Sequence, residues 1–424
     1  VGGLAAVAQA CPGAAIAYLG PEEKLRYLEG LEACVHGASA LLQPGYGGNR
    51  NWLLLATLGR HLLSVDDDVH PYGMFREQAR ASRFVLEGQF VSRTEWDHCL
   101  QVDFDILGAC SAMLGRSVAE VADAWAARGR PLAMGSHLED ANVDLALNLA
   151  HRPLQPASVE LVPGNVPANG RIGIVQSFLS GDPDLDAKEL IWAFHQWGDG
   201  RVLQGKPPVQ FALDTFRPCI LDHDFRVTAA VLGLDNTDGT IPFIPTRLRF
   251  EDYLLRLYSQ RQAFHVGYCE SVQTHRRAMT SRNNIVGDFV IEGLATIMKT
   301  LINAGLRETG PLAFEFEPCP ALDDRDLQVL WHQLVEPLSG PQAGTGASKR
   351  SPYWHCYKAL VREEALDLTD PGPFVAFHFQ RLQVAYRELR QAMALWPRIL
   401  DHARRVPLRP SLMPASQATY SRVS

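Results

Sequence analysis

Apolar and polar positions along the chain follow two rhythms that predict an alternation of helices and strands. Residues 14–19 (AAIAYL) form a short apolar run suited to a buried strand. Pro21 then opens PEEKLRYLEGLEACV, with acids in the first turn and apolar residues at helical spacing. After the turn QPGYGG comes NRNWLLLATLGR, a helix expected to close near Gly59, and HLLSV follows as a strand running into Asp66, Asp67 and Asp68. Strand–helix–strand alternation with short loops predicts an α/β fold built on a parallel sheet. Such sheets bind ligands beyond the carboxyl ends of their strands, which is where the Asp run falls.

Further along, the segments ARASRFVLEGQF, CLQVDFDILGACSAML, VAEVADAWAARG and DANVDLALNLA all read as helical, so residues 72–150 are expected to be an inserted helical layer or lid. Strand-like runs return in VELVPGNV and RIGIVQSFL, then in PVQFALDTFRPCI and FRVTAAVLGL, and FEDYLLRLYSQRQ is helical. Beyond about residue 283 nearly everything is helical, with SGPQAGTGASKRSP at 339–352 as the expected flexible loop. The predicted division is therefore a sheet-based region over 1–290 and a helical region over 291–424. Within the latter, FVAFHFQRLQVAYRELRQAMALW has the faces of a packed amphipathic core helix. Its helices could cap a site, mediate homodimerisation or touch a membrane surface.

Composition narrows the class. With 424 residues, 46% apolar and 21% charged, the chain is globular and long enough for two or three domains, not disordered or fibrous. A net charge of −7 lacks the basic balance of an electrostatic nucleic-acid binder, so no nucleic-acid partner is expected. The 8 cysteines are scattered without a C-x-x-C pair, which reads as reduced thiols in a cytoplasmic protein. The first 20 residues lack the basic start of a signal peptide, and no run is long and apolar enough to predict a membrane span.

Four places could carry chemistry. On a strand, Asp66 and Asp68 would project together and Asp67 the other way, giving two hard oxygen ligands for Mg²⁺ or Mn²⁺. The alternative is a solvated acidic turn. Gly45-Tyr46-Gly47-Gly48 feeds a helix that begins with Asn49, Arg50 and Asn51. That helix start offers backbone N–H groups to an anion, with Arg50 as a forked phosphate contact, or it is a plain capped turn. Glu251 and Asp252 enter a helix and could be either dipole complements or a carboxylate base. His275, in QTHRR after the run FHVGYC, could be structural or a metal ligand.

Taken in order, these pieces resemble a GT-A glycosyltransferase of the family 2 type: Arg50-Asn51 opening a helix, SVDDDV ending a strand, Gly233-Leu234-Asp235 where the family has a "Gly-small-Asp" turn, and Phe250-Glu251-Asp252 heading a helix. The resemblance covers roughly residues 14–70 and 225–275. It implies a GT-A core and transfer of a sugar from a nucleotide-diphosphate donor to an acceptor hydroxyl with inversion; the family's usual first strand is not seen from Val1 onward, so either a strand is missing or the core begins differently. It further implies that Arg50, Asn51, Asp66 and Asp67 contact the nucleotide sugar. Asp66, Asp68 and His275 would hold Mn²⁺ or Mg²⁺, Asp252 would be the catalytic base and Glu251 its support. No Gln-x-x-Arg-Trp motif follows, unlike processive polysaccharide synthases.

Three other readings compete. A terpene-synthase-like all-α enzyme would use the Asp run with Asn284, Asp288 and Glu292, which share one helical face. A sugar-phosphate nucleotidylyltransferase would need a glycine-rich N-terminal signature, which is not visible. A non-catalytic GT-A-like binding protein would need no base at all.

Overall fold

The computed structural model describes residues 17–43, 47–66, 68–76, 85–130, 132–137, 158–159, 161–162, 164, 166–181, 209–222, 231–241, 243–244, 246, 255, 264–276 and 372–412. They form a mixed α/β structure around one large sheet of 13 strands. Its spine runs through β2 (Arg60–Val65), β13 (Val231–Asn236), β10 (Arg171–Gly181) and β14 (Phe264–His275), and on to β12 (Cys219–Leu221) and β7 (Ala133–His137).

The parallel sheet predicted from the alternation is corrected to a mixed one. β10 and β14 pair in parallel, but β13 is antiparallel to both β10 and β2. Two reversals restore the direction, so β2, β10 and β14 all point the same way. Their carboxyl ends, at Val65, Gly181 and His275, therefore face one edge of the sheet. The run at 14–19 is corrected too: its described part, Ala17–Tyr18 (β1), pairs only with Ser411–Leu412 (β15) in a separate two-stranded ribbon.

Each face of the sheet is covered by a different set of helices. On one face lie α1 (Pro21–Cys34), α2 (Ala38–Leu41), α3 (Gly48–Ala56) and the long α7 (Gly372–Arg405). Leu31, Trp52, Leu54 and Trp396 pack there against Ile174, Leu232, Leu234 and Val266. Buried positions on α7 fall at Ala385, Leu389, Ala392, Trp396, Ile399, Leu400, His402 and Ala403, recurring every three or four residues along one side. That is the stripe of an amphipathic helix, so this part of the C-terminal region belongs to the main core, as its pattern predicts. On the other face, α5 (Ile106–Ser111), the turn after it and α6 (Val118–Ala126) press Cys110, Met113, Val121 and Trp125 onto Ile172, Val175 and Cys269.

A single glycine sets this division. Ile172 and Ile174 are two residues apart on β10 and should share a face, yet they join opposite cores. The register explains it: Ile172 pairs with His265 and Ile174 with Val266, so Gly173 is an extra residue bulged out of the ladder. A Cβ on Gly173 would lie 2.5 Å from the Phe264 ring, too close for any other residue. A larger irregularity follows on β14, where Cys269, Glu270 and Ser271 together face the lone Ser177 between Gln176 and Phe178 of β10. There β14 changes its outer partner, from β12 at 266–268 to β3 (Val69–His70) at 274–275.

The helical layer expected over 72–150 is also corrected. Its described part holds strands β4 (Tyr72–Phe75), β5 (Leu86–Ser92), β6 (Leu100–Asp103) and β7, alongside α4 (Arg93–Trp96), α5 and α6. β5 pairs with β8 (Ser158–Val159) and with β11 (Val209–Phe216), the latter more than a hundred residues away, while β6 pairs with β4 and β7 with β9 (Leu161–Val162). Local periodicity cannot register such distant ladders. Among the described residues, no helix is long and apolar enough to cross a membrane. The predicted loop at 339–352, the residues beyond 283 up to 371 and the segment DANVDLALNLA lie outside the described residues.

Candidate functional site

At the carboxyl edge, β2 ends at Val65 and the chain turns. Val69 N–H donates to Asp66 O over 3.4 Å, so Asp66 and Asp68 are the first and third residues of a turn. They do not sit on the extended strand the sequence predicts. The turn delivers the chain into β3, which pairs antiparallel with the last two residues of β14. Arg276 N–H donates to Asp68 O at 2.8 Å and closes the junction. Two motifs about 200 residues apart thereby meet: His275 Nε2 lies 2.9 Å from Asp68 Oδ2.

Asp66 has a different neighbour. Arg50, on the first turn of α3, reaches across to place its guanidinium Nη2 2.6 Å from Asp66 Oδ1. The close start of α3 depends on Gly48, where a Cβ would meet Gln43 O at 2.5 Å. Burial is the largest influence on Asp66 and raises its pKa above the usual carboxylate value. Arg50 and His275 oppose that rise, and the nearby charge of Asp68 adds to it. The Asp66 and Asp68 side chains retain 40% and 33% of their exposure, while His275 keeps only 8%.

Asn51, expected beside a nucleotide sugar, does something else. It is fully buried, its Nδ2 donates to Ile244 O at 2.7 Å and its Oδ1 accepts from Ile244 N–H at 2.8 Å. With Trp396 Nε1–H donating to Ile241 O at 2.8 Å, this amide straps the chain near 241–244 between α3 and α7. Asn51 thus holds the fold, because both ends of its amide are already paired.

Gly233-Leu234-Asp235 is likewise no turn beside the Asp run. It lies within β13, whose register sets Asp235 opposite His61 and Val231 opposite Val65. Asp235 is therefore at the far end of β2, four ladder steps or about 13 Å from the Asp66 end. There its carboxylate is ion-paired with Arg171 and accepts from Thr237 Oγ1–H at 2.6 Å. Asp67, Glu251 and Asp252 lie outside the described residues.

Do the residues fit a divalent cation? Two ligands of one octahedral cation bound at about 2.1 Å stand about 3 Å apart. That is the spacing of Asp68 Oδ2 and His275 Nε2. Asp66 supplies a second carboxylate nearby. Among the described residues, however, no group of three or more His, Cys, Asp or Glu side chains is gathered for one metal ion. The arrangement suits a cation that keeps open positions for water and a ligand's oxygens, rather than a closed structural site.

One polar residue next to the site carries no sequence motif. Gln273 is buried, and its amide has no hydrogen-bond partner. Only the period-2 pattern of β14, which puts Gln273 on the face of His275, could have flagged it. No protein-family model matches the chain, and no curated protein matches it.

Proposed function

We propose that the chain is a glycosyltransferase of GT-A type that moves a sugar from a nucleotide-diphosphate donor to an acceptor hydroxyl, with inversion and with Mn²⁺ or Mg²⁺. The observation that carries this reading is the meeting of Asp68 and His275 at the carboxyl ends of like-directed strands. Asp68 Oδ2 and His275 Nε2 would hold the cation, and the imidazole favours Mn²⁺ over Mg²⁺. Bound there, a divalent cation supplies compensation for the charge that develops on the leaving nucleoside diphosphate. Arg50, poised on Asp66, is the forked group a diphosphate would engage.

The order of the motifs supports the remaining roles. Asp67 contacts the nucleotide sugar. Asp252 takes the proton from the acceptor hydroxyl as its oxygen attacks the sugar from the face opposite the diphosphate, and Glu251 supports that acceptor. Cytoplasmic location belongs to the same reading, in keeping with the free thiols of Cys110 and Cys269, whose sulfurs lie 3.7 Å apart without a bridge. The terpene-synthase-like alternative required an all-α chain and does not survive the 13-stranded sheet.

The test is a thermal-shift panel of UDP-, GDP- and dTDP-sugars with and without Mn²⁺. One nucleotide sugar should stabilise the protein in a Mn²⁺-dependent way, and no stabilisation by any of them would overturn the reading. The pair of donors where three were expected keeps one second reading alive, a non-catalytic nucleotide-sugar binder. Donor hydrolysis that disappears in Asp252→Asn while nucleotide binding persists would exclude it.

A further inference from the structure

Cys110, on the last turn of α5, and Cys269, on β14, come from segments 159 residues apart and bring their sulfurs to 3.7 Å. Both are free thiols, 2% and 0% exposed. Ser271 places its Oγ 3.1 Å from the Cys269 sulfur, so two hydrogen donors converge on that one atom. The S–H of Cys110 is the larger influence and lowers the Cys269 pKa, against the rise that burial imposes. Cys110, as the donor, is held above its ordinary value. One thiol is thus readied as a thiolate, and the other stands within reach to resolve what forms on it. Thiols packed merely as small apolar side chains would need no such hydroxyl beside them.

The backbone around both leaves room to close the gap. A disulfide needs its sulfurs about 2 Å apart, a movement of under about 2 Å from the present contact. Cys269 opens the three-residue stretch where the β10–β14 ladder is interrupted, so no regular register pins it. Cys110 lies on a helix of 6 residues, too short to be stable without its packing and therefore easily opened.

We propose that Cys110 and Cys269 form a redox modification site that closes to a disulfide when a hydroperoxide oxidises the protein. In the first step the Cys269 sulfur attacks one peroxide oxygen. An S–O bond forms, the O–O bond breaks, and the thiol proton leaves with the other oxygen as water. In the second step the Cys110 sulfur attacks the sulfenic acid on Cys269. The S–S bond forms, the S–O bond breaks, and the hydroxyl leaves as water with the Cys110 proton. The two thiols lose two electrons, which the peroxide takes up in becoming water. Access is through the outer side of α5, where Leu107 is 64% exposed, since lifting this short helix uncovers Cys110 and the Cys269 sulfur beneath it. The crosslink staples α5 to the strand that ends at His275, and a reducing thiol releases it. In a reducing compartment such bridges are transient and report oxidation rather than hold the fold.

The experiment treats the full-length chain with graded hydrogen peroxide, without cation or nucleotide, then blocks the remaining thiols in urea and maps the peptides by mass spectrometry. The chain should lose two of its 8 thiols together, as one Cys110–Cys269 peptide pair that dithiothreitol splits. Fragment ions separate Cys110 from Cys99, which shares its tryptic peptide. Cys110→Ser should leave the sulfenic acid unresolved on Cys269, where dimedone captures it, and Cys269→Ser should leave Cys110 without an adduct. A dimedone adduct on Cys110 instead overturns the assignment of Cys269 as the attacking thiol. A bridge from Cys269 to a different cysteine, a pair still reduced once the exposed Cys34 is oxidised, or a bridge that forms only in urea overturns the proposal itself. Those three outcomes are read on the wild-type chain and need no variant to fold.

Discussion

The two ends of strand β2 are built from the same kinds of residue and behave oppositely. At its start, the fully buried Asp235 carboxylate is held by Arg171 and Thr237, with His61 Nε2 3.7 Å away and Asp238 Oδ2 taking the other arm of Arg171 at 2.8 Å. At its end, Asp66 and Asp68 keep a third or more of their exposure and share Arg50 and His275 between them. One end buries its central carboxylate against Arg171 and closes it off from solvent. The other leaves its two carboxylates partly open, where a cation could still reach them. The difference teaches that an Asp beside a strand is defined by what reaches it from elsewhere in the chain.

The largest effect expected to sharpen this contrast is the loss of Asp235. Breaking a buried ion pair costs about 3–5 kcal/mol, reduced here to about 2–4 because Arg171 keeps a third of its exposure. Urea unfolding of Asp235→Ala should show that loss with an unchanged m-value. Next, Asp68→Asn should alter cation-free stability by less than about 1 kcal/mol. It should, however, remove the stabilisation that saturating Mn²⁺ gives wild type, about 2.7 kcal/mol at a hundred times Kd. If Asp68→Asn unfolds the protein as readily as Asp235→Ala does, the two ends are alike after all.

A subtler difference concerns pH. Burial holds the Asp66 pKa above its unfolded value, so its contribution to stability is full below the ordinary carboxyl pKa and is lost as pH rises through the raised one. In the absence of divalent cations, Asp66→Asn should therefore gain on wild type between acid and neutral pH, and Mn²⁺ should shrink the gap. Denaturant midpoints across that range check the sign. The smallest effect belongs to His61, which is half exposed and 3.7 Å from Asp235. His61→Gln should change stability by no more than about 0.5 kcal/mol.

Much of the framework was legible in the residues. Pro21 and its acids announce α1, HLLSV and RIGIVQSFL announce β2 and β10, and VAEVADAWA announces α6, whose Ser117 and Glu120 form a reciprocal cap. The Asp run does fall at a strand's carboxyl end. What escaped was everything decided by distant partners. Leu86–Ser92 carries apolar residues that fit a helix until β11 supplies its ladder. Asn51 could pass for a ligand contact until Ile244, 193 residues later, occupies its amide. Asp235 has the composition of a site residue, and only Arg171 shows that it is a strut.

The long irregularity on β14 carries a rule about chain length. Cys269, Glu270 and Ser271 stand where β10 spends one residue, an excess of two, and the ladder resumes at Val272 with every later side chain on its original face. Removing that extra pair would restore a regular ladder and leave His275 opposite Gly181, still turned towards Asp68. Removing or adding a single residue would do what Gly173 does on β10: exchange inside for outside, and present Thr274 to Asp68 in place of His275. Insertions in this stretch should therefore be tolerated by parity rather than by size.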